Sequence, residues 1–159
     1  MEKSNMSNRK MFDRAPTSSR TEVNRSILDG YLVNGYFEDN TTVLRSEYVL
    51  SYAQNLAQSL ASERPSIKKT QLRGFYDKVK NARDNYERNF ITLEDALLNI
   101  CELASLANNS VNKGNAPKLF KQFIDKNVQY ITSNRTYEAL KAFEQHFRAI
   151  LCYYPENKR

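Results

Sequence analysis

The stretch Ile67-Lys-Lys-Thr-Gln-Leu-Arg-Gly-Phe-Tyr-Asp-Lys-Val-Lys-Asn-Ala-Arg-Asp-Asn-Tyr-Glu-Arg-Asn89 decides the fold. Leu72, Phe75, Val79, Ala82 and Tyr86 recur at spacings of three and four, which is the signature of a helix with one buried face. The spacing predicts a helix beginning at Ile67 or Lys68 and ending near Asn89. Upstream, Val49, Ala53, Leu56, Ala57 and Leu60 keep the same period, so a first helix is predicted from about Thr42 to Glu63, stopped by Pro65. Downstream, Thr92 reads as an N-cap with Glu94 and Asp95 in the first turn, where the helix dipole favours anions. That third helix carries Leu93, Leu97, Ile100, Leu103, Ala104 and Ala107. Asn115 is expected to cap a fourth helix with Pro117 in its first turn and Leu119, Phe120, Phe123, Ile124 and Val128 on its apolar face. A fifth, starting after Ser133 or Asn134, presents Tyr137, Leu140, Phe143, Phe147, Ile150, Leu151 and Tyr154, and ends at Pro155.

Composition agrees with this pattern. Only four glycines and four prolines occur in 159 residues, too few turn formers for an all-β chain. The fold class is therefore all-α: a compact bundle of about five helices with a flexible N-terminal arm. Met1 to Arg20 is polar, aperiodic and basic, and is read as that arm; residues 21–159 are read as a single helical domain. An aromatic loop, Ile27 to Asn40, comes early in that domain, with Tyr31, Tyr36 and Phe37 expected against the helices. No apolar run approaches the ~20 residues that span a bilayer, and no signal-like stretch opens the chain. Those features and the two unpaired-looking cysteines, Cys101 and Cys152, indicate a cytoplasmic protein whose cysteines are buried small hydrophobes.

No catalytic constellation emerges. The single histidine, His146, lies beside Phe147 in the fifth helix and reads as structural. Two distant cysteines and one histidine give no metal spacing. Gly30, Gly35, Gly74 and Gly114 are too scattered for a phosphate-cradling loop. The expectation is a non-enzyme with no cofactor, metal or catalytic residue.

Charge is more informative. The chain carries +6 with a pI near 9.3, unevenly distributed. Arg64 to Phe90 holds eight cations against three anions, Ile91 to Asn112 holds three anions and no cation, and Lys113 to Lys126 holds four lysines against Asp125. At about 100° per residue, Lys69, Arg73, Tyr76, Lys80 and Arg83 fall on one narrow stripe, roughly a quarter-turn from the apolar one. Such a row suits successive phosphates, with Tyr76 available to stack on a base or lie along a sugar. A solvated helix face with local pairs, Lys80 to Asp84 or Arg83 to Glu87, accounts for the same residues. Lys118, Lys121 and Lys126 form a second basic region, and Lys141 with Arg148 marks a line on the fifth helix. Gly74 sits mid-helix on a polar face at a cost of about 1 kcal/mol relative to Ala; a close backbone approach or a local kink accounts for it.

Three segments carry a family resemblance. Ser66-Ile-Lys-Lys-Thr-Gln-Leu-Arg-Gly-Phe-Tyr76 resembles a signature of the small subunit of type III-A CRISPR effector complexes, the Csm complex. Gly35-Tyr-Phe-Glu-Asp39 followed by Val43-Leu-Arg-Ser-Glu-Tyr-Val49 is similar to that family's turn into its next helix. Phe143-Glu-Gln-His-Phe-Arg-Ala-Ile-Leu-Cys-Tyr-Tyr154 is similar to its aromatic final helix. Gly74 departs from the pattern, standing where a Lys or Arg is common, and the arm before Arg20 lies outside it. The resemblance implies a non-catalytic subunit acting in antiviral defence. It implies a short filament of copies beside the backbone and large subunits, contacting the CRISPR RNA–target RNA duplex without reading its sequence. On that implication the RNA-binding candidates are Lys69, Arg73, Tyr76, Lys80, Arg83, Lys118, Lys121, Lys126, Lys141 and Arg148, with Arg73 foremost as the motif's arginine. Thr70 is expected to cap its helix and Gln71 to make an early-turn contact. Glu94, Asp95 and Glu102 are assigned to basic patches of a neighbouring copy. Two other readings stand beside this one: a DNA-binding helical regulator, and a structural adaptor whose basic stripe meets an acidic protein.

Overall fold

The computed structural model describes residues 26–156; the expected arm from Met1 to Arg20 lies outside them. The chain divides into two units, Met1–Tyr31 and Leu32–Arg159. In the described part of the first, Ser26 organises a turn: its carbonyl accepts from the Asp29 N–H and its hydroxyl from the Leu28 N–H.

The second unit contains five α-helices: α1 Ser51–Ser62, α2 Lys69–Glu87, α3 Leu93–Asn112, α4 Lys118–Asn134 and α5 Tyr137–Tyr153. A single 3₁₀ turn, Ser46–Tyr48, precedes α1. Among the described residues there is no strand, only one isolated antiparallel bridge between Phe37 and Leu44. Among the described residues no helix is long and apolar enough to cross a membrane.

α5 is the central helix. It packs against α1, α2 and α4, while α3 packs between α2 and α4. The reason is compositional: Ala139, Leu140, Ala142, Phe143, Phe147, Ile150 and Leu151 are all buried, a stripe wide enough to meet three neighbours. Phe120, Phe123, Phe143 and Phe147 fill the middle, with the Phe123 and Phe147 rings edge-to-face at 5.4 Å. Such pairs add about 0.5–1.5 kcal/mol beyond area burial. Tyr36, fully buried, meets Tyr48 at 4.8 Å and Tyr130 at 5.2 Å. Tyr36 of the aromatic loop is thus part of this core.

The helix ends follow from local chemistry. Thr92 and Asp95 form a reciprocal capping box on α3, and the Thr136 hydroxyl accepts from the Ala139 N–H at the start of α5. α2 closes through Asn89 in the left-handed region and α3 through Gly114 at φ +77°.

Four expectations are corrected here. The first helix starts at Ser51 and not near Thr42, because Val43 to Arg45 pair with the preceding strand-like segment: the Glu38 N–H donates to Val43 O and the Arg45 N–H to Tyr36 O. Asn115 does not cap α4; its N–H donates to Ser110 O and closes α3, leaving Pro117 as the residue before α4. Thr70 lies inside α2, one residue past its start, and caps nothing. Cys101 is only half-buried and Cys152 is exposed.

Candidate nucleic-acid interface

The basic stripe on α2 splits into two edges when the helix packs on α5. Leu72, Val79 and Ala82 are buried, as their spacing requires, but Tyr76 joins them at 6% exposure. Its hydroxyl donates to Glu144 of α5 at 2.6 Å. Tyr76 therefore offers no ring for a base, which corrects the expectation that it stands among the exposed cations. Burial, reinforced by the Glu144 hydrogen bond, raises its phenol above the ordinary range.

Arg83 is drawn in as well. Its guanidinium donates to Glu144 at 2.5 Å and to Glu87 at 3.0 Å, leaving 17% of the side chain exposed. Burial disfavours its charge, but the hydrogen bonds to Glu87 and Glu144 outweigh that cost and hold the pKa above normal. Arg148 reaches the same Glu144 carboxylate at 2.8 Å from one turn further along α5. Glu144, 1% exposed, is thus ringed by two arginines and a tyrosine. A buried carboxylate needs such partners to remain charged. Glu87 accepts in turn from the Tyr137 hydroxyl, which with Arg83 holds its carboxyl below the usual range. Sequence reading missed Glu144 because its role depends on residues 61 and 68 positions away.

The outer edge is different. Arg73 and Lys80 are exposed there; Lys78 is exposed about 140° further round the helix from Arg73, and Lys68 before the helix and Arg88 after it are exposed as well. Lys80 pairs with Asp84 at 2.8 Å in the i,i+4 geometry anticipated for a solvated face. Lys69 is mostly covered and pairs with Glu156 at 2.7 Å, which lowers that carboxyl. Arg73, Lys68, Lys78 and Arg88 form no ion pair with a described residue. Lys68, Lys78 and Arg88 were not among the candidates; Lys78, one turn beyond Gly74 on the same face, was legible from the helical wheel alone. Gly74 itself has a helical backbone, and nothing lies within 4 Å of where its Cβ would stand. No contact with a described residue accounts for a glycine there.

A family model described as Csm2 Type III-A matches residues 44–158. The chain belongs to this family. It is accordingly a small subunit of type III-A CRISPR effector complexes. Within the Csm2 match lie Ser66–Tyr76 and Phe143–Tyr154, whereas Gly35–Asp39 lies outside it. No curated protein and no solved structure matches the chain.

In this Csm2 chain the remaining candidates fall on two helices. On α4, Lys118 and Lys126 are exposed and Lys121 pairs with Asp125 at 2.5 Å. The Phe75 and Phe120 rings meet at 4.8 Å, so the start of α4 lies beside the middle of α2. On α5, Lys141 is exposed without an ion-pair partner among the described residues, and Arg148 is half exposed but held by Glu144. His146, fully buried, places Nδ1 2.5 Å from Tyr48 O. Burial pushes its pKa down to about 4, the backbone bond opposing. Among the described residues no cluster of three His, Cys, Asp or Glu is placed to hold a metal.

Proposed function

We propose that the chain is a non-catalytic, sequence-independent RNA-binding subunit of a cytoplasmic type III-A effector complex. Its outer α2 edge lies along the phosphate backbone of the guide RNA–target RNA duplex. The observation that carries this reading is that Lys68, Arg73, Lys78 and Arg88, on α2 and at its two ends, stay exposed without ion pairs to described residues, while Arg83 of the same helix is neutralised by buried Glu144. A surface of this kind supplies phosphate contacts and no base-edge donors in fixed geometry, so sequence discrimination is left to guide–target pairing. Lys118 and Lys126 extend the same charge toward α4. Copies of the chain in a short filament, beside the backbone and large subunits, would present this edge repeatedly along the duplex. The single histidine is committed to the Tyr48 carbonyl inside the core, which fits a subunit without acid–base chemistry.

The test is binding of RNA duplexes of unrelated sequence by the full chain and by an Arg73→Glu/Lys80→Glu variant. The variant is expected to fold normally, lose affinity for every duplex alike and show a shallower salt dependence. Unchanged affinity and salt slope in a folded variant would remove the outer edge as the RNA surface. Preference for one duplex DNA sequence would favour a DNA-binding regulator.

A further inference from the structure

A cleft of about 370 Å³ opens between the Tyr36–Arg45 hairpin and the first half of α5, lined by Phe37, Leu44, Tyr137, Glu138, Lys141 and Gln145 among others. Its volume lies at the low end of small-ligand pockets, roughly 300–1,000 Å³. The hairpin places Phe37 there for a simple reason. Successive residues of an extended segment point to opposite faces, and Tyr36 is fully buried in the core, so Phe37 is turned away from it and remains half-buried. Leu44, its antiparallel bridge partner, lies on the same face. The hairpin is held by the Glu38 N–H to Val43 O and Arg45 N–H to Tyr36 O bonds, at 2.9 and 2.8 Å. Opposite, Glu138 and Lys141 are exposed, three residues apart on one helix face, and neither is ion-paired with a described residue. Gln145, one turn on, adds an amide.

We propose that this cleft takes one unpaired nucleotide of bound RNA: the base against Phe37 and Leu44, its amino edge on Glu138 and Gln145, its phosphate on Lys141. The inference rests on the RNA-binding reading above. An aromatic face, a carboxylate acceptor and a lysine within one small cleft match a planar heterocycle that carries both N–H donors and an anion. The carboxylate also discriminates. It accepts from the amino groups of cytosine, adenine or guanine, whereas uracil sets two carbonyls around its single N–H. The site therefore disfavours uridine. The chemistry differs from that of the outer α2 edge, which binds charge and ignores the base.

The experiment is an NMR titration of the full chain with cytidine 5′-monophosphate, uridine 5′-monophosphate and inorganic phosphate. Cytidine monophosphate is expected to give saturable shifts at Phe37, Glu138 and Lys141, uridine monophosphate to bind several-fold more weakly, and phosphate to leave these amides unmoved. Phe37→Ala should weaken the cytidine nucleotide about fivefold or more, while Phe37→Tyr retains it. Lys141→Ala, at an exposed position, should weaken it without disturbing the fold. Absence of saturable shifts, shifts indifferent to Phe37→Ala and Lys141→Ala, or an equal response to phosphate alone would overturn the proposal. Duplex binding that persists and still requires Arg73 and Lys80 while the cleft stays silent would sink the cleft and spare the α2 reading. Cytidine monophosphate bound by a chain that ignores duplex RNA would do the reverse.

Discussion

The two edges of α2 carry the same residue types and meet opposite fates. On the inner edge, Tyr76 and Arg83 turn to Glu144 and become part of the packing between α2 and α5. On the outer edge, Arg73 and Lys80 stay in water, with Gly74 open beside Arg73. The difference comes from a single buried carboxylate on another helix. Basic residues on a helix face therefore stay free for a partner only where no internal anion claims them.

The largest test of this division is to remove the anion. Glu144→Ala leaves the Tyr76 hydroxyl without its acceptor and Arg83 with Glu87 alone, and is expected to cost about 3–5 kcal/mol, the lower end being favoured because Arg83 keeps that pair and Arg148 is half exposed. Denaturant unfolding followed by circular dichroism measures it, and a loss below 1 kcal/mol would mean that the inner edge is as solvated as the outer.

Acid titration probes another buried side of α5, where His146 lies about 200° round the helix from Glu144 and meets Tyr48. His146 takes up a proton near pH 4 in the folded chain and near 6.5 unfolded. Between those values the unfolded state binds more protons, so stability falls as pH drops from 6.5 to 4 and is flat with respect to this group above and below. The loss reaches roughly 3 kcal/mol. In His146→Gln that acid-dependent slope should disappear from a plot of unfolding free energy against pH; persistence of the slope would assign it to other groups.

Smaller again is Gly74→Ala. With open space at the Cβ, the alanine should stabilise the helix by about 1 kcal/mol. Thermal unfolding reads the gain. If the glycine serves close approach of a phosphate backbone, the more stable variant should bind duplex RNA less well; a stability gain with unaltered binding would make Gly74 irrelevant to the interface. The smallest stability effect is expected at the outer edge itself, where Arg73→Gln/Lys80→Gln should stay within about 0.5 kcal/mol of the parent.

Much of the fold was legible in the sequence because helices α2, α3 and α5 combine a strict apolar period with recognisable ends: Thr92 with its capping box, and Pro155 beyond α5. What was illegible lay in hydrogen bonds outside the helix period. The start of α1 is set by Arg45 pairing back nine residues to Tyr36, and the close of α3 by Asn115 reaching Ser110 five residues back. Neither appears in a helical wheel. The site divides in the same way. Exposure of Arg73 and Lys80 follows from their angle of about 100° to Leu72 and Val79, whereas Tyr76, four residues after Leu72, and Arg83, four after Val79, fall on the buried side of the same wheel, where Glu144 meets them. The family resemblance located Arg73 but held no information on which neighbours it keeps.

The central claim is that the outer edge of α2 contacts phosphates and the inner edge does not. The measurement that addresses it most directly is the salt dependence of duplex RNA binding by the parent, Arg73→Gln/Lys80→Gln and Arg83→Met. Each phosphate contact removed should reduce the slope of log K against log salt by about 1. The account predicts a slope shallower by about 2 in the outer-edge variant and unchanged in Arg83→Met. Equal reductions in both, or a reduction in Arg83→Met alone, would contradict it.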